Sequence, residues 1–179
     1  MFQPQKWQEI SREVAYHKYS QTVERRDYRL PNNKVVDFYI RIEHPGACVL
    51  ALTADNKVIT VLQWRPGPSA SFRELPGGRV DAGEDPRKAA MRELLEETGY
   101  TGDTEEWTGT WQNDAYTQMN RVVIIAKNCK KVAEPKLEDT EFGKVELVDI
   151  AEFIAQVRAG QLTDTAGAML ALDYLGLLG

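Results

Sequence analysis

Leu75-Pro76-Gly77-Gly78-Arg79-Val80-Asp81-Ala82-Gly83-Glu84 runs directly into Asp85-Pro86-Arg87-Lys88-Ala89-Ala90-Met91-Arg92-Glu93-Leu94-Leu95-Glu96-Glu97-Thr98-Gly99. This join of a glycine-rich loop to a helix decides how the chain is read. Asp85 is a capping residue type, Pro86 suits a first helical turn, and Gly99 is a helix stop. At about 100° per residue, Glu93, Glu96 and Glu97 fall on one side of the helix. Ala89 and Ala90 lie on that side and are expected to leave space above it, while Met91, Leu94 and Leu95 are expected to face the core. Like charges at this spacing cost about 0.2–0.5 kcal/mol per pair, and Arg92 neutralises them only in part. A bound divalent cation satisfies all three. With oxygen donors only, and no histidine or cysteine nearby, the chemistry favours Mg²⁺ or Mn²⁺ over zinc. A glutamate-rich helix face alone is equally the mark of a solvated surface. The loop in front changes that reading. Its glycines let the backbone approach a ligand, so that Gly77 can lend a carbonyl to a metal, and the helix N-terminus faces phosphate oxygens favourably.

Outward from this centre, Ala47 to Leu52 and Val58 to Trp64 read as strands joined by the turn Ala54-Asp55-Asn56. Glu105 to Trp111, Val122 to Ala126 and Val145 to Val148 read as further strands. The end is helical. Asp149-Ile150-Ala151-Glu152 has the form of a capping box, Gly160 fits a stop, and a second helix is expected from near Thr163 to Thr165 towards Leu175. Residues 1 to 43 contain short extended pieces, the turn Leu30-Pro31-Asn32-Asn33 and the strand Val35 to Ile42. They carry little apolar surface for a core of their own. Strands flanked by helices on both sides predict an α/β fold, a sandwich around a mixed sheet. The expected division is a strand-rich segment over 1–43 and a main domain over 44–179.

The 179 residues suffice for one compact domain with a small appendage. With 22 basic and 27 acidic side chains, the net charge of −5 argues against a protein built to grip nucleic acid. Cys48 and Cys129 lie in apolar stretches without a CxxC partner, which fits two free thiols in a reducing cytoplasm. There is no secretory h-region at the start, and the apolar tail 166–178 is too short to span a bilayer. The expected location is cytoplasmic, with no membrane partner.

From Gly78 through Glu84 to Arg92-Glu93-Leu94-Leu95-Glu96-Glu97-Thr98-Gly99-Tyr100, the spacing resembles the Nudix box, with all seven fixed residues in place and Tyr100 where an aliphatic residue is more usual. That resemblance implies an α/β/α sandwich and hydrolysis of a nucleoside diphosphate linked to another moiety. It assigns metal binding to Glu93 and Glu97 with the Gly77 carbonyl assisting. It makes Glu96 a metal ligand or a catalytic acid behind the ligands, Arg92 the residue that orients the carboxylates, and Glu84 a tie from loop to helix. In some branches of the family the base that takes the proton of the attacking water lies late in the chain. Glu138, Asp139 and Glu141 stand in that place, Glu141 foremost as base and as an added metal ligand.

Beyond the box, the chain resembles the ADP-ribose pyrophosphatase and nucleotide-sugar hydrolase branch. The similar stretches are Gln63-Trp64-Arg65, Glu74-Leu75-Pro76-Gly77-Gly78, Thr140-Glu141-Phe142, and Gly160-Gln161-Leu162-Thr163-Asp164 with Ala171-Leu172. The short span from Arg65 to Glu74 departs from the branch pattern. The resemblance implies Mg²⁺-dependent cleavage of a small nucleotide-sugar to a nucleoside monophosphate and a sugar phosphate. Arg65, Glu74, Tyr116 and Tyr28 are the substrate-facing candidates, and Glu74 is equally able to pair with Arg65 or Arg73. Trp7, Trp64, Trp107 and Trp111 are assigned to packing. A homodimer through residues 1–43 is expected, because edge strands need cover. The alternatives are a Nudix hydrolase of oxidised nucleoside triphosphates or dinucleoside polyphosphates, and a non-catalytic ligand sensor. The intact box and the lack of an attached DNA-binding pattern weigh against the sensor.

Overall fold

A computed structural model describes residues 3–137 and 142–179. Among the described residues the chain forms eleven strands and three helices: β1 (Gln8–Lys18), β2 (Gln21–Arg29), β3 (Val35–Ile42), β4 (Gly46–Thr53), β5 (Lys57–Arg65), β6 (Ala70–Glu74), β7 (Gly77–Arg79), α1 (Pro86–Thr98), β8 (Tyr100–Trp111), β9 (Thr117–Gln118), β10 (Arg121–Lys131), β11 (Gly143–Asp149), α2 (Ile150–Arg158) and α3 (Thr165–Tyr174). They group into two compact units, residues 1–44 with 112–120, and residues 45–111 with 121–179.

In the first unit the sheet order is β1-β2-β3-β9, antiparallel except where β9 runs parallel to β3. Polar side chains are laced by ion pairs. Arg25 meets Glu13, Asp27 and Asp37, and the buried Arg26 meets Glu24 at 2.6 Å and the Gln118 amide oxygen at 2.7 Å. In place of an aliphatic core the unit has an aromatic cluster. Phe38 stacks on Trp7 at 5.4 Å and on Tyr116 at 6.1 Å between ring centres, with Tyr28 edge-on at 6.0 Å.

The second unit is built on a mixed sheet in the order β11-β5-β4-β10-β8, with β6 paired to β5 and β7 to β4. Among the described residues of this unit, only the central β4–β10 pair is parallel. Strand β4 reads as an unbroken apolar run because both of its faces are covered. Ala47, Val49 and Ala51 point with Val122, Ile124 and Ala126 towards Ala89, Ala90 and Leu94 of α1. Cys48, Leu50 and Leu52 point with Val123 and Ile125 towards Phe153, Val157, Ala168, Ala171 and Leu172 of α2 and α3. A helix on one face and two on the other give the α/β/α sandwich expected from the sequence. Full burial of Leu94 contributes roughly 1.5–3 kcal/mol and anchors α1.

Several local expectations are corrected. Ala89 and Ala90 do not leave open space beside the glutamates. They are buried against small residues of the sheet, which lets α1 lie close, while Leu95 turns outward at 40% exposure. Asp149 makes no capping bond to α2 and instead pairs with Lys57 at 3.3 Å. The short span after Arg65 is a hairpin whose return strand is β6. Part of the expected glycine-rich loop, Gly77–Arg79, is strand β7, and β8 begins at Tyr100 and not at Glu105, while the end signals of α1 hold. The Asp85 side chain accepts from the Arg87 amide at 2.8 Å, and Gly99 closes α1 at φ 75°. Cys48 and Cys129 are free and buried. Among the described residues, no helix is long and apolar enough to cross a membrane.

Candidate active site

Strand β7 and helix α1 set two glycines against two glutamates. The Gly77 amide donates to Glu97 Oε2 at 2.9 Å, and Glu97 is only 8% exposed. Gly78 makes room for Glu93, because a Cβ at position 78 would come within 2.5–2.8 Å of the Glu93 carboxylate. One helical turn therefore separates two carboxylates that lie against consecutive backbone units. Gly77 is equally constrained from the sheet side, where a Cβ would meet the Ala47 carbonyl and the Cys48 backbone at 2.5–2.6 Å.

Arg92 organises the other acids. Its guanidinium bonds Glu84 at 3.1 and 3.2 Å, Glu93 at 2.9 Å, Glu96 at 3.0 Å and the Arg79 carbonyl at 3.1 Å. Glu84 also accepts from the Asp81 amide, so it ties loop to helix. The bond from Arg92, followed by that from Asp81, holds the Glu84 carboxyl below its usual range, and the same acids hold Arg92 firmly protonated, Glu84 foremost. Among the described residues, no three His, Cys, Asp or Glu side chains close on one point as a formed metal cage. The donor set still fits a hard divalent cation. Its atoms are carboxylate oxygens, and the glycine-lined cradle around Glu93 has no room for another side chain.

Beside Gly77 and Gly78 lies a pocket of about 280 Å³ lined also by Arg65, Trp111, Arg121 and Thr163. Glu74 is 1% exposed, and its charge is met by Gln63 at 2.7 Å, Arg65 at 2.6–2.7 Å and the Thr163 hydroxyl. Of the two readings of Glu74, the structure places it in the pair with Arg65. Arg73 goes elsewhere, to Glu146 and Glu152. Cys48 also lines the pocket, but burial pushes its thiol up to about 12, so it is no nucleophile at neutral pH.

The remaining substrate-facing candidates, Tyr28 and Tyr116, meet in the first unit around Phe38. They border a pocket of about 480 Å³ with Trp7 and Ile40. Asp114 shapes that loop by accepting from the Tyr116 amide at 2.7 Å and from Arg41 at 2.7 Å. Glu138, Asp139 and Glu141 lie outside the described residues. Sequence reasoning passed over Arg121, whereas Trp111 packs against the core as expected and lines the pocket as well. No spacing rule marks an arginine at the start of a strand, and the one available cue was Asp164 in the stretch before α3.

Comparison with known proteins agrees with this geometry. The NUDIX domain family model matches residues 42–167. A methanol dehydrogenase activator of Bacillus methanolicus is 33% identical over 156 residues, which cover 84% of this chain and 82% of that protein. An ADP-ribose pyrophosphatase of Bacillus subtilis (strain 168) is 33% identical over 154 residues, again 84% of this chain and 82% of the relative. In fold, the chain is similar to a solved ADP compounds hydrolase with a TM-score of 0.75 at 17% identity, over 99% of this chain and 100% of that one.

Proposed function

The chain belongs to the Nudix hydrolase family, and from that premise we propose that it hydrolyses the pyrophosphate of ADP-ribose or a closely related nucleotide-sugar in a Mg²⁺-dependent reaction, with Mn²⁺ as a substitute. The observation that carries this reading is the seating of Glu93 and Glu97 against Gly78 and Gly77, beside a pocket that presents Arg65. The Bacillus subtilis relative that bears the name ADP-ribose pyrophosphatase supports the substrate class.

Glu93 and Glu97, with Glu96 and the Gly77 carbonyl, would hold the cation, and Arg92 keeps the Glu93 and Glu96 carboxylates oriented. When bound, the cation offsets the charge of the diphosphate and lowers the pKa of a coordinated water. Arg65, held by the buried Glu74, meets a phosphate oxygen or the sugar end with the guanidinium edge that Glu74 leaves open. Tyr28 and Tyr116 are the ring faces of the first unit that suit a base. An acid of the late segment takes the proton of the attacking water, with Glu141 favoured over Asp139 and Glu138. The water oxygen bonds to phosphorus as the bridging P–O bond breaks, and the products are a nucleoside monophosphate and a sugar phosphate.

The protein acts in the cytoplasm as a homodimer formed through its first unit. Every residue of β1 is exposed over 11 positions, including Ile10, Val14 and Tyr16, and β2 is its strand partner among the described residues. A long open edge of this kind invites pairing with a second copy.

The test is a panel of ADP-ribose, nucleotide-sugars, dinucleotides and nucleoside triphosphates incubated with Mg²⁺ and read by phosphate release after phosphatase treatment. ADP-ribose or a nucleotide-sugar should head the ranking. A ranking headed by triphosphates or dinucleoside polyphosphates would overturn the substrate assignment.

A further inference from the structure

Two guanidiniums line the pocket beside Gly77 and Gly78, and only Arg65 is absorbed by the reading above. The other, Arg121, begins β10 and is held from two sides. Asp164 forms an ion pair with it, and the Trp111 ring lies 6.0 Å from its guanidinium carbon. Neither holder is incidental. Asp164 stands at the N-cap of α3, where an aspartate ordinarily bonds the helix amides, yet it makes no capping bond and directs its carboxylate to Arg121. Trp111 is pressed against Gly167 of α3, where a Cβ would come within 2.5 Å of the indole, so a residue larger than glycine would push the ring away. The preceding residue, Thr163, reaches Glu74, the holder of Arg65. One short loop thus fixes the partners of both arginines. Asp164 is bonded through one terminal nitrogen of Arg121, which leaves further N–H donors of the fork for a ligand.

We infer that Arg121 is a specificity-determining residue that grips an anionic oxygen on the sugar-phosphate half of the substrate, with Asp164 and Trp111 as its positioning residues. This rests on the nucleotide-sugar reading above and deepens it. A pocket of about 280 Å³ falls just below the size usual for drug-sized ligands, so it holds part of a nucleotide-sugar and not the whole. A pair of guanidinium forks is the donor set that matches phosphate oxygens.

The test is calorimetric titration of ribose 5-phosphate, with AMP as the control ligand, into the full chain in Mg²⁺. Wild type is compared with Arg121→Gln, Arg121→Lys and Asp164→Asn. Arg121→Gln should weaken ribose 5-phosphate about ten- to a hundredfold while AMP binding holds, since one charge-assisted contact is lost. Arg121→Lys should recover part of the loss, because it keeps the charge and loses the fork, and it decides the matter alone if the Gln variant does not fold. Asp164→Asn should weaken the same ligand to a smaller degree. Wild type that fails to bind ribose 5-phosphate, unchanged affinity in the Arg121 variants, or equal losses for both ligands would each overturn the inference, the last by reducing Arg121 to a tie between β10 and α3. The titration needs no turnover. A wild type that binds ribose 5-phosphate through Arg121 yet hydrolyses nothing on the panel would defeat the functional reading and leave this assignment standing.

Discussion

The carboxylate of Glu97 accepts a hydrogen bond from the Gly77 amide at 2.9 Å, joining the last turn of α1 to the strand twenty positions earlier. A nearly buried acid in that bond ties α1 to β7, beside the role in the chemistry proposed for it. Glu97→Gln keeps an oxygen that can accept from Gly77, whereas Glu97→Ala leaves the amide unpaired. Chemical denaturation should find the Gln variant near wild type and the Ala variant about 1–3 kcal/mol less stable. Equal stability of the two would remove the structural role of the bond.

Gly77→Ala and Gly78→Ala should part company. At position 77 the added methyl meets backbone on β4, which cannot step aside, so stability falls and the protein yields poorly. At position 78 its nearest neighbour is the end of the Glu93 side chain, which swings away. The fold should survive with a small change in Tm, while kcat/KM drops about a hundredfold, the scale of an ångström-sized misplacement of a reacting group. A fully active Gly78→Ala enzyme would take Glu93 out of the site.

Replacing Glu138, Asp139 and Glu141 together by amides should collapse kcat by about 10²–10⁴-fold, the range of a general base, and leave KM much less affected. Single replacements should rank Glu141 as the most damaging. Full activity in the triple variant would return the proton acceptor to the box glutamates.

Acid stability should carry the mark of Glu146. Bonds from Lys144 and then Arg73 hold its carboxyl below the usual glutamate range. A lowered folded-state pKa stabilises the protein in full above the unfolded value, about 4.3, and that contribution is lost as pH falls through the folded value. Arg73→Gln should therefore be less stable than wild type at pH 6, by about 0.2–1 kcal/mol for a partly exposed pair. The two should converge in strongly acidic solution. A constant difference from pH 7 to pH 3 would exclude the ion pair as its source.

What the sequence made legible was whatever follows from local periodicity. The unbroken apolar run of β4 announces a strand covered on both faces, and Asp85-Pro86 with Gly99 marks both ends of α1. The box spacing placed Glu93 and Glu97 together, and the structure adds the two glycines they lie against. Side-chain direction was less legible. Ala89 and Ala90 are small because the helix lies close to the sheet, not because a ligand needs the space. Asp149 and Asp164 both stand where a cap is expected, yet each is drawn to a cation distant in sequence, Lys57 or Arg121. No window of local pattern contains such partners. The same holds for residues 112–120, which join the first unit through the pairing of Thr117 and Gln118 with β3.

The proposed site, with its box glutamates, is tested most directly by simultaneous quantification of AMP and ribose 5-phosphate formed from ADP-ribose in Mg²⁺ by wild type and Glu97→Gln. Wild type should release the two in equal amounts. The folded Glu97→Gln variant should be slower by about 10²-fold or more, as expected when a charged group of the reaction centre is removed. Equal rates for the two proteins would take Glu97 out of the reaction, and a wild type that forms neither product would exclude ADP-ribose as the substrate.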